Sequence, residues 1–325
     1  MKLLVTGASG FIGSYLTKML VEKGYSVKTL VRFDSDVTQL KNLDVEIISG
    51  DIRDADTLEK IMKGCQQVYH GAAQRTKPKI PKQAYYSINV DGCKNIAETA
   101  LKTNVERLVY LSTAGVYGTL KQLRINENTV PRPNTYYRTT KWLGEKVLLS
   151  YHQQQNLPVV IARLSGVCGA GSLSWLGLVR AITTPKFRLI GTGNNEYHLA
   201  DIMDIIAGLR LCAEKSNIEG KTYNLAGKEA LKVKEIVNLI TENLNIYEPT
   251  QQLPAFPYHT LNTMTEWFYQ TFSKQLPGHH RYDMFISDRS LDISRAVAEL
   301  DYSPKISPEE AIINLINWYR EKGYV

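Results

Sequence analysis

No stretch of this sequence reaches the roughly 18 consecutive apolar residues that a membrane-spanning helix needs, so no such span is expected. Cysteine is scarce: Cys65, Cys93, Cys168 and Cys212 are the only four. None stands in a C-x-x-C pair and their spacing fits no zinc pattern, so no metal site is expected. Free thiols in a reducing cytosol are the simple reading, which makes a cytoplasmic location the expectation. The opening MKLLVTGASGFIG has one lysine and a four-residue apolar run, too little for a secretory signal. No basic block occurs. The formal net charge of +7 is spread along the chain, which argues against nucleic acid and suits anionic small molecules. Internal repeats and low-complexity tracts are also missing.

What is present is 325 residues, 43% apolar and 22% charged, enough for one large or two interleaved domains of a soluble protein. Short β-like runs alternate with helical runs through the first half. KLLVTG (2–7) precedes an amphipathic stretch at 11–24. Then come 25–31, 45–50, a helical 56–64, 67–73, a long helix near 83–103, and RLVYLS (107–112). A helix running to about Gln155 precedes LPVVIARL (157–164). This alternation predicts βαβ units and a doubly wound parallel α/β sheet of the Rossmann type, with ligands at the carboxyl ends of its strands. The second half is less regular. A strand and turn are expected at 186–193, a helix at 201–215 capped by Asp201, a strand at 222–227 and a helix at 232–244. Prolines at 249, 254, 257 and 277 break the pattern. Within that break, 262–272 predicts a short amphipathic helix clustering Met264, Trp267, Phe268 and Phe272. Ser307, Pro308 and Glu310 open a terminal helix as a capping box. The expected division is a dinucleotide-binding domain at 1–170, completed by 200–228. A smaller interleaved substrate domain takes 171–199 and 229–325.

TGASGFIG sets Gly7, Gly10 and Gly13 between the first strand and the first helix. Glycines allow the tight turn and the close approach of a pyrophosphate, and the helix N-terminus offers free N–H groups. Ser9, Phe11 and Ile12 share this candidate cradle. The second strand ends in Arg32 rather than an acid, which points to the 2′-phosphate of NADP, with NAD the alternative. Tyr137 and Lys141 lie four apart, on one helix face; Tyr136 has Thr140 at that spacing, which carries no charge. A nearby ammonium favours the phenolate, so Lys141 is expected to lower the Tyr137 pKa and make it a general acid/base. Tyr136 then reads as packing or pocket lining. Ser112-Thr113 ends the preceding strand and can bring a hydroxyl to the same place.

Together these pieces resemble the extended short-chain dehydrogenase/reductases, the group of NAD(P)-dependent epimerases, dehydratases, dihydroflavonol reductases and hydroxysteroid dehydrogenases. The resemblance spans nearly the whole chain: TGASGFIG, GDIRD (50–54), VYHGAA (68–73), NVDGCKNIAETA (89–100), LSTAGVYG (111–118), YRTTK (137–141), ARLSGVCGAGS (162–172) and DISRAVAELDYSPKISPEE (292–310). It implies Thr113, Tyr137 and Lys141 as catalytic residues. It implies Asp51 and Ile52 at the adenine, Ala72 and Ala73 along the cofactor's middle, and Leu164 and Val167 against the nicotinamide. Asn89 would hold local structure. Gln74, Thr113, Ser165, His198 and Trp267 would meet a small-molecule substrate, with a buried structural role the alternative for His198. A homodimer is implied too. Two departures narrow the chemistry. Ala114 and Gly115 stand where sugar 4,6-dehydratases carry an acid pair, and Arg163-Leu164-Ser165-Gly166 lacks an asparagine common in nucleotide-sugar epimerases. The leading expectation is a reductase or dehydrogenase acting on a substrate with hydrophobic bulk. A nucleotide-sugar epimerase and a non-catalytic dinucleotide sensor are the alternatives.

Overall fold

The computed structural model describes residues 1–76, 80–119, 124–249, 251–276 and 282–325; Pro277 lies outside them. Seven parallel strands form the central sheet: β1 (Lys2–Thr6), β2 (Ser26–Val31), β3 (Val45–Ser49), β4 (Gln67–His70), β5 (Arg107–Thr113), β6 (Val159–Leu164) and β7 (Thr222–Leu225). Their order is β7-β6-β5-β4-β1-β2-β3. This is the doubly wound α/β sheet expected from the sequence. The inner strands β1, β5 and β6 are buried nearly throughout, which is why they read as continuous apolar runs. Edge strand β3 is half exposed and carries Glu46 among its apolar residues. Strand order reverses between β1 and β4, and that switch point opens a crevice at the carboxyl ends.

The helices cover both faces. On one, α1 (Phe11–Glu22) buries Leu16 and Leu20 against Leu3, Val5 and Val109. On the other, α2 (Ala55–Met62) and α3 (Gly92–Lys102) bury Leu58, Ile61, Ile96 and Ala97 against Leu4, Val68 and Leu108. A five-residue helix at Lys82–Tyr86 and a wide π-type turn at Ser87–Asp91 lead into α3, so the helix expected near 83–103 contains a bulge. Helix α4 (Tyr136–Gln155) starts where the Thr135 hydroxyl accepts the Arg138 N–H and stops at Asn156 in the left-handed conformation. Asp201 caps α5 (Ile202–Glu214) by accepting the Met203 N–H at 2.7 Å.

A third apolar cluster gathers Trp175, Leu189 and Leu199 with residues of α6 (Val233–Leu244) and of α8, the terminal helix Pro308–Glu321. The strand expected at 186–193 is only Leu189–Ile190, paired with Gln252–Leu253. Between α6 and α8, helix α7 runs Phe256–Phe272, six residues earlier in its start than the expected 262–272. Pro257, read as a breaker, sits in the first turn, where its missing N–H has no intrahelical partner to lose.

Candidate active site

The β1–α1 loop is shaped around main-chain contacts. Gly7 has φ +76°, and a Cβ there would lie 2.7 Å from the Ala72 nitrogen. A Cβ on Gly13 would overlap the Gly7 carbonyl, so strand and helix meet as closely as glycine allows. Gly10, by contrast, is exposed and begins α1 with no side-chain cap and no acid in the first turn. The free N–H groups of that turn, beside half-buried Ser9, Phe11 and Ile12, fit a pyrophosphate. Thr6 Oγ1 accepts the Ala72 N–H at 3.2 Å and pairs with His70 Nδ1 at 2.8 Å, which ties the β4 end carrying Ala72 and Ala73 to this loop.

The adenosine end is more open. Arg32, just past β2, is exposed and pairs with Asp34 at 3.4 Å. Asp51 accepts Nε and Nη2 of Arg53, whose guanidinium is the main reason its carboxyl titrates below the usual range. Ile52 is buried, and its Cδ1 would lie 2.6 Å from a Cβ on Gly92.

Beyond the switch point lies a cavity of about 310 Å³. Thr113 from the end of β5, Tyr137 from the first turn of α4, Leu164 at the end of β6 with Ser165 after it, and His198 all line it. Residues far apart in the chain and singled out from its motifs therefore meet at one place. Thr113 Oγ1 also accepts the Gly115 N–H at 3.1 Å. Ser112 instead turns into the protein and donates to Glu145. Ala114 and Gly115 form cavity wall, and none of the described lining residues is acidic. Val167, in the short strand Gly166–Cys168, is partly buried and packs against the core cluster that includes Leu164.

Tyr137 and Lys141 share one face of α4, but the electrostatics differ from the expectation. The Lys141 side chain is buried, and its ammonium rests 3.9 Å from the centre of the Tyr110 ring. Burial lowers its pKa to about 8, against opposing pulls from Cys93 and Glu145. Burial raises the Tyr137 phenol above its ordinary value, and Arg75 and Arg138 are the cations that oppose this. Lys141 is not among the charges that oppose this rise, and its ammonium lies over the Tyr110 ring. Tyr136 is a structural residue: its hydroxyl accepts the Gln275 N–H at 3.0 Å, and its own N–H donates to Gln275 Oε1 at 3.1 Å.

Several residues are placed differently from a simple pocket reading. His198 shows the cavity only its ring, since Nδ1 accepts the Leu291 N–H at 3.2 Å and Nε2 donates to the Gly227 carbonyl at 2.9 Å. Gln74 is clamped by Asn89, which accepts its N–H at 2.7 Å and donates to its carbonyl at 3.1 Å. Asn89 also donates to Thr140 Oγ1 at 2.9 Å. Trp267 is not at the cavity; it stands 63% exposed on the outside of α7.

Arginine is what the sequence reading missed. Arg75, Arg138 and Arg289 border the cavity. Arg138 and Arg289 both donate to Asp283, at 2.7 and 2.8 Å, leaving the wall with more positive than negative charge. Arg289 Nε and Ser165 Oγ are buried without a hydrogen-bond partner among the described residues. Beneath the site, Arg163 donates to Glu145 at 2.7 Å and to the Tyr117 hydroxyl at 2.9 Å. Tyr117 in turn donates to Asn224 at 2.8 Å, so β5, β6, β7 and α4 are joined by one buried polar network. An arginine inside the apolar run VVIARL, and a glutamate one turn beyond Lys141, were the signals available for it.

The family model for the NAD dependent epimerase/dehydratase family matches residues 3–226. The chain belongs to that family and is an enzyme of the extended short-chain dehydrogenase/reductase type. Among its relatives, a putative dihydroflavonol 4-reductase from Synechocystis is 28% identical over 99% of this chain and 95% of that protein. Sterol demethylase protein B from Methylococcus capsulatus is 26% identical over the full length of both. The solved structure of UDP-glucuronic acid 4-epimerase from Bacillus cereus in complex with NAD is 25% identical, with a TM-score of 0.80 over 99% of each chain.

Proposed function

We propose that this chain is an NAD(P)-dependent oxidoreductase that interconverts a ketone and a secondary alcohol. The observation that carries the reading is the meeting of Thr113 and Tyr137 in one cavity beside Leu164, at the carboxyl edge of the sheet. When bound, the dinucleotide supplies or receives the hydride. Tyr137 supplies the proton: burial keeps its phenol protonated at neutral pH, the form a general acid needs when a carbonyl is reduced. In the reverse direction it takes the alcohol proton, and Arg75 and Arg138 stabilise the phenolate. Thr113 holds the substrate oxygen by hydrogen bond, and Lys141 anchors the nicotinamide ribose. Gly7, Gly10 and Gly13 cradle the pyrophosphate, Asp51 and Ile52 meet the adenine, and Val167 backs the nicotinamide. Arg32 faces a 2′-phosphate, which makes NADP the favoured form; its pairing with Asp34 keeps NAD as the alternative. The names of the two sequence relatives support a substrate with hydrophobic bulk, a reading that Trp267 no longer supports. A homodimer in the cytoplasm completes the proposal.

A second reading, a nucleotide-sugar epimerase using the same residues, is favoured by the three arginines at a cavity whose described lining has no acid. They suit a phosphate or carboxylate, and the solved relative acts on such a sugar by name. Replacing Tyr137 by Phe tests what both readings share. Turnover falls about 10²-fold or more while dinucleotide binding persists. Unchanged turnover would remove the tyrosine from the chemistry.

A further inference from the structure

Helix α7 is amphipathic with its faces reversed. At 100° per residue, Tyr258, Asn262, Thr265, Glu266, Tyr269 and Gln270 share one side, and that side grips the protein. Thr265 and Tyr269 are buried. The Tyr269 and Thr139 hydroxyls pair at 2.7 Å, Glu266 accepts from Asn134 and from Thr119, and Gln270 donates to the Pro133 carbonyl. The outward side carries Phe256, Met264 and Trp267 with Thr260, Thr263 and Thr271 between them, and Leu261 and Phe272 stand at its margin; each of these five apolar residues is at least 50% exposed. A helix whose outer face meets water has the opposite arrangement.

Charge says what covers this face. From Gln251 to Leu276 the only acid is Glu266, and it is held inward. Basic side chains lie at both ends, with one exposed acid, Glu248, three residues before Gln251. Lys274 follows the helix, and exposed Arg132 neighbours the Pro133 that Gln270 bonds. At the other end, Gln252–Leu253 pairs with Leu189–Ile190, which brings Arg188 and Lys186 beside the entry to the helix. Two copies of the chain meeting across this face, parallel or antiparallel, would bring like charges together. Anionic headgroups would meet all of them favourably.

We propose that the outer face of α7 docks this enzyme on an anionic lipid bilayer, lying flat at the headgroup level. Its 17 residues span about 26 Å and are apolar on one side only, the pattern of a helix that lies on a bilayer. Among the described residues no helix is long and apolar enough to cross one. Because α7 is hydrogen-bonded to the helix that bears Tyr137, docking holds the catalytic cavity close to the lipid.

The test is flotation of the full chain with vesicles of phosphatidylcholine alone and of phosphatidylcholine with phosphatidylglycerol. The expected result is binding to the anionic vesicles that weakens with salt, with a blue shift of tryptophan emission that Trp267→Phe removes. Met264→Glu with Trp267→Glu, both at exposed positions, should cut partitioning at least tenfold and leave the melting temperature unchanged. Neither measurement needs turnover, so the outcome is independent of the proposed reaction. Absence of binding to both vesicle types overturns the proposal. So does a wild-type dimer that the double variant converts to monomer, which would make this face an interface between copies.

Discussion

At the scale of single residues, the site separates two tyrosines that are adjacent in sequence. Tyr137 opens on the cavity, whereas Tyr136 is bonded to Gln275 through both its hydroxyl and its main chain. Tyr136→Phe should therefore leave turnover nearly intact and cost about 1 kcal/mol of stability, read by denaturant unfolding. Equal loss of turnover in the Phe variants of Tyr136 and Tyr137 would undo the assignment. Lys141 makes a different demand. Its pKa is about 8 in the fold, against about 10.4 for a free lysine. Between those values the unfolded chain holds a proton that the folded chain has released, so this group adds stability as pH rises from about 8 toward 10. Below about pH 8 its full burial penalty applies. Lys141→Met should raise stability at pH 7 by about 1–3 kcal/mol, with the gain shrinking toward pH 10, while activity falls. Melting curves at both pH values check the sign; a variant less stable at pH 7 would mean that the Tyr110 ring and Glu145 outweigh burial.

At the scale of elements, the proposed choice of cofactor rests on the segment after β2. Arg32→Asp replaces an attraction for a 2′-phosphate with a repulsion and leaves two acids facing the ribose. The variant should shift preference from NADP toward NAD by at least tenfold, measured by titration with each dinucleotide. Tighter binding of NAD than of NADP by the unaltered protein would refute the role given to Arg32. The β1–α1 loop and the buried strands were legible in the sequence because their signals are local. An apolar run followed by three glycines has few other uses, and strands buried on both faces take mostly apolar residues. Helix α7 was legible in its second half only, since Pro257 looks the same in sequence whether it breaks a helix or begins one. Its orientation was not legible at all. Amphipathicity marks two faces, and only the partners of Glu266 and Tyr269 show that the polar one is turned inward.

At the scale of the whole molecule, the cavity exists only where distant segments converge. Thr113, Tyr137 and Ser165 belong to motifs with fixed order, so they could be foreseen. Arg138 and Arg289 could not, because their meeting at Asp283 depends on how residues 283–291 fold back over the sheet edge. The same convergence decides the reaction. A reductase releases its nicotinamide oxidised, and the substrate keeps the hydride. An epimerase returns the hydride to the same substrate on its other face. The most direct measurement offers the protein reduced NADP or NAD deuterated at the transferring position, with panels of ketones and nucleotide sugars. The account predicts loss of reduced-nicotinamide absorbance in step with alcohol formed, deuterium on the new carbinol carbon, and loss of both in Tyr137→Phe. Interconversion of two sugar epimers with no net change in that absorbance would contradict it.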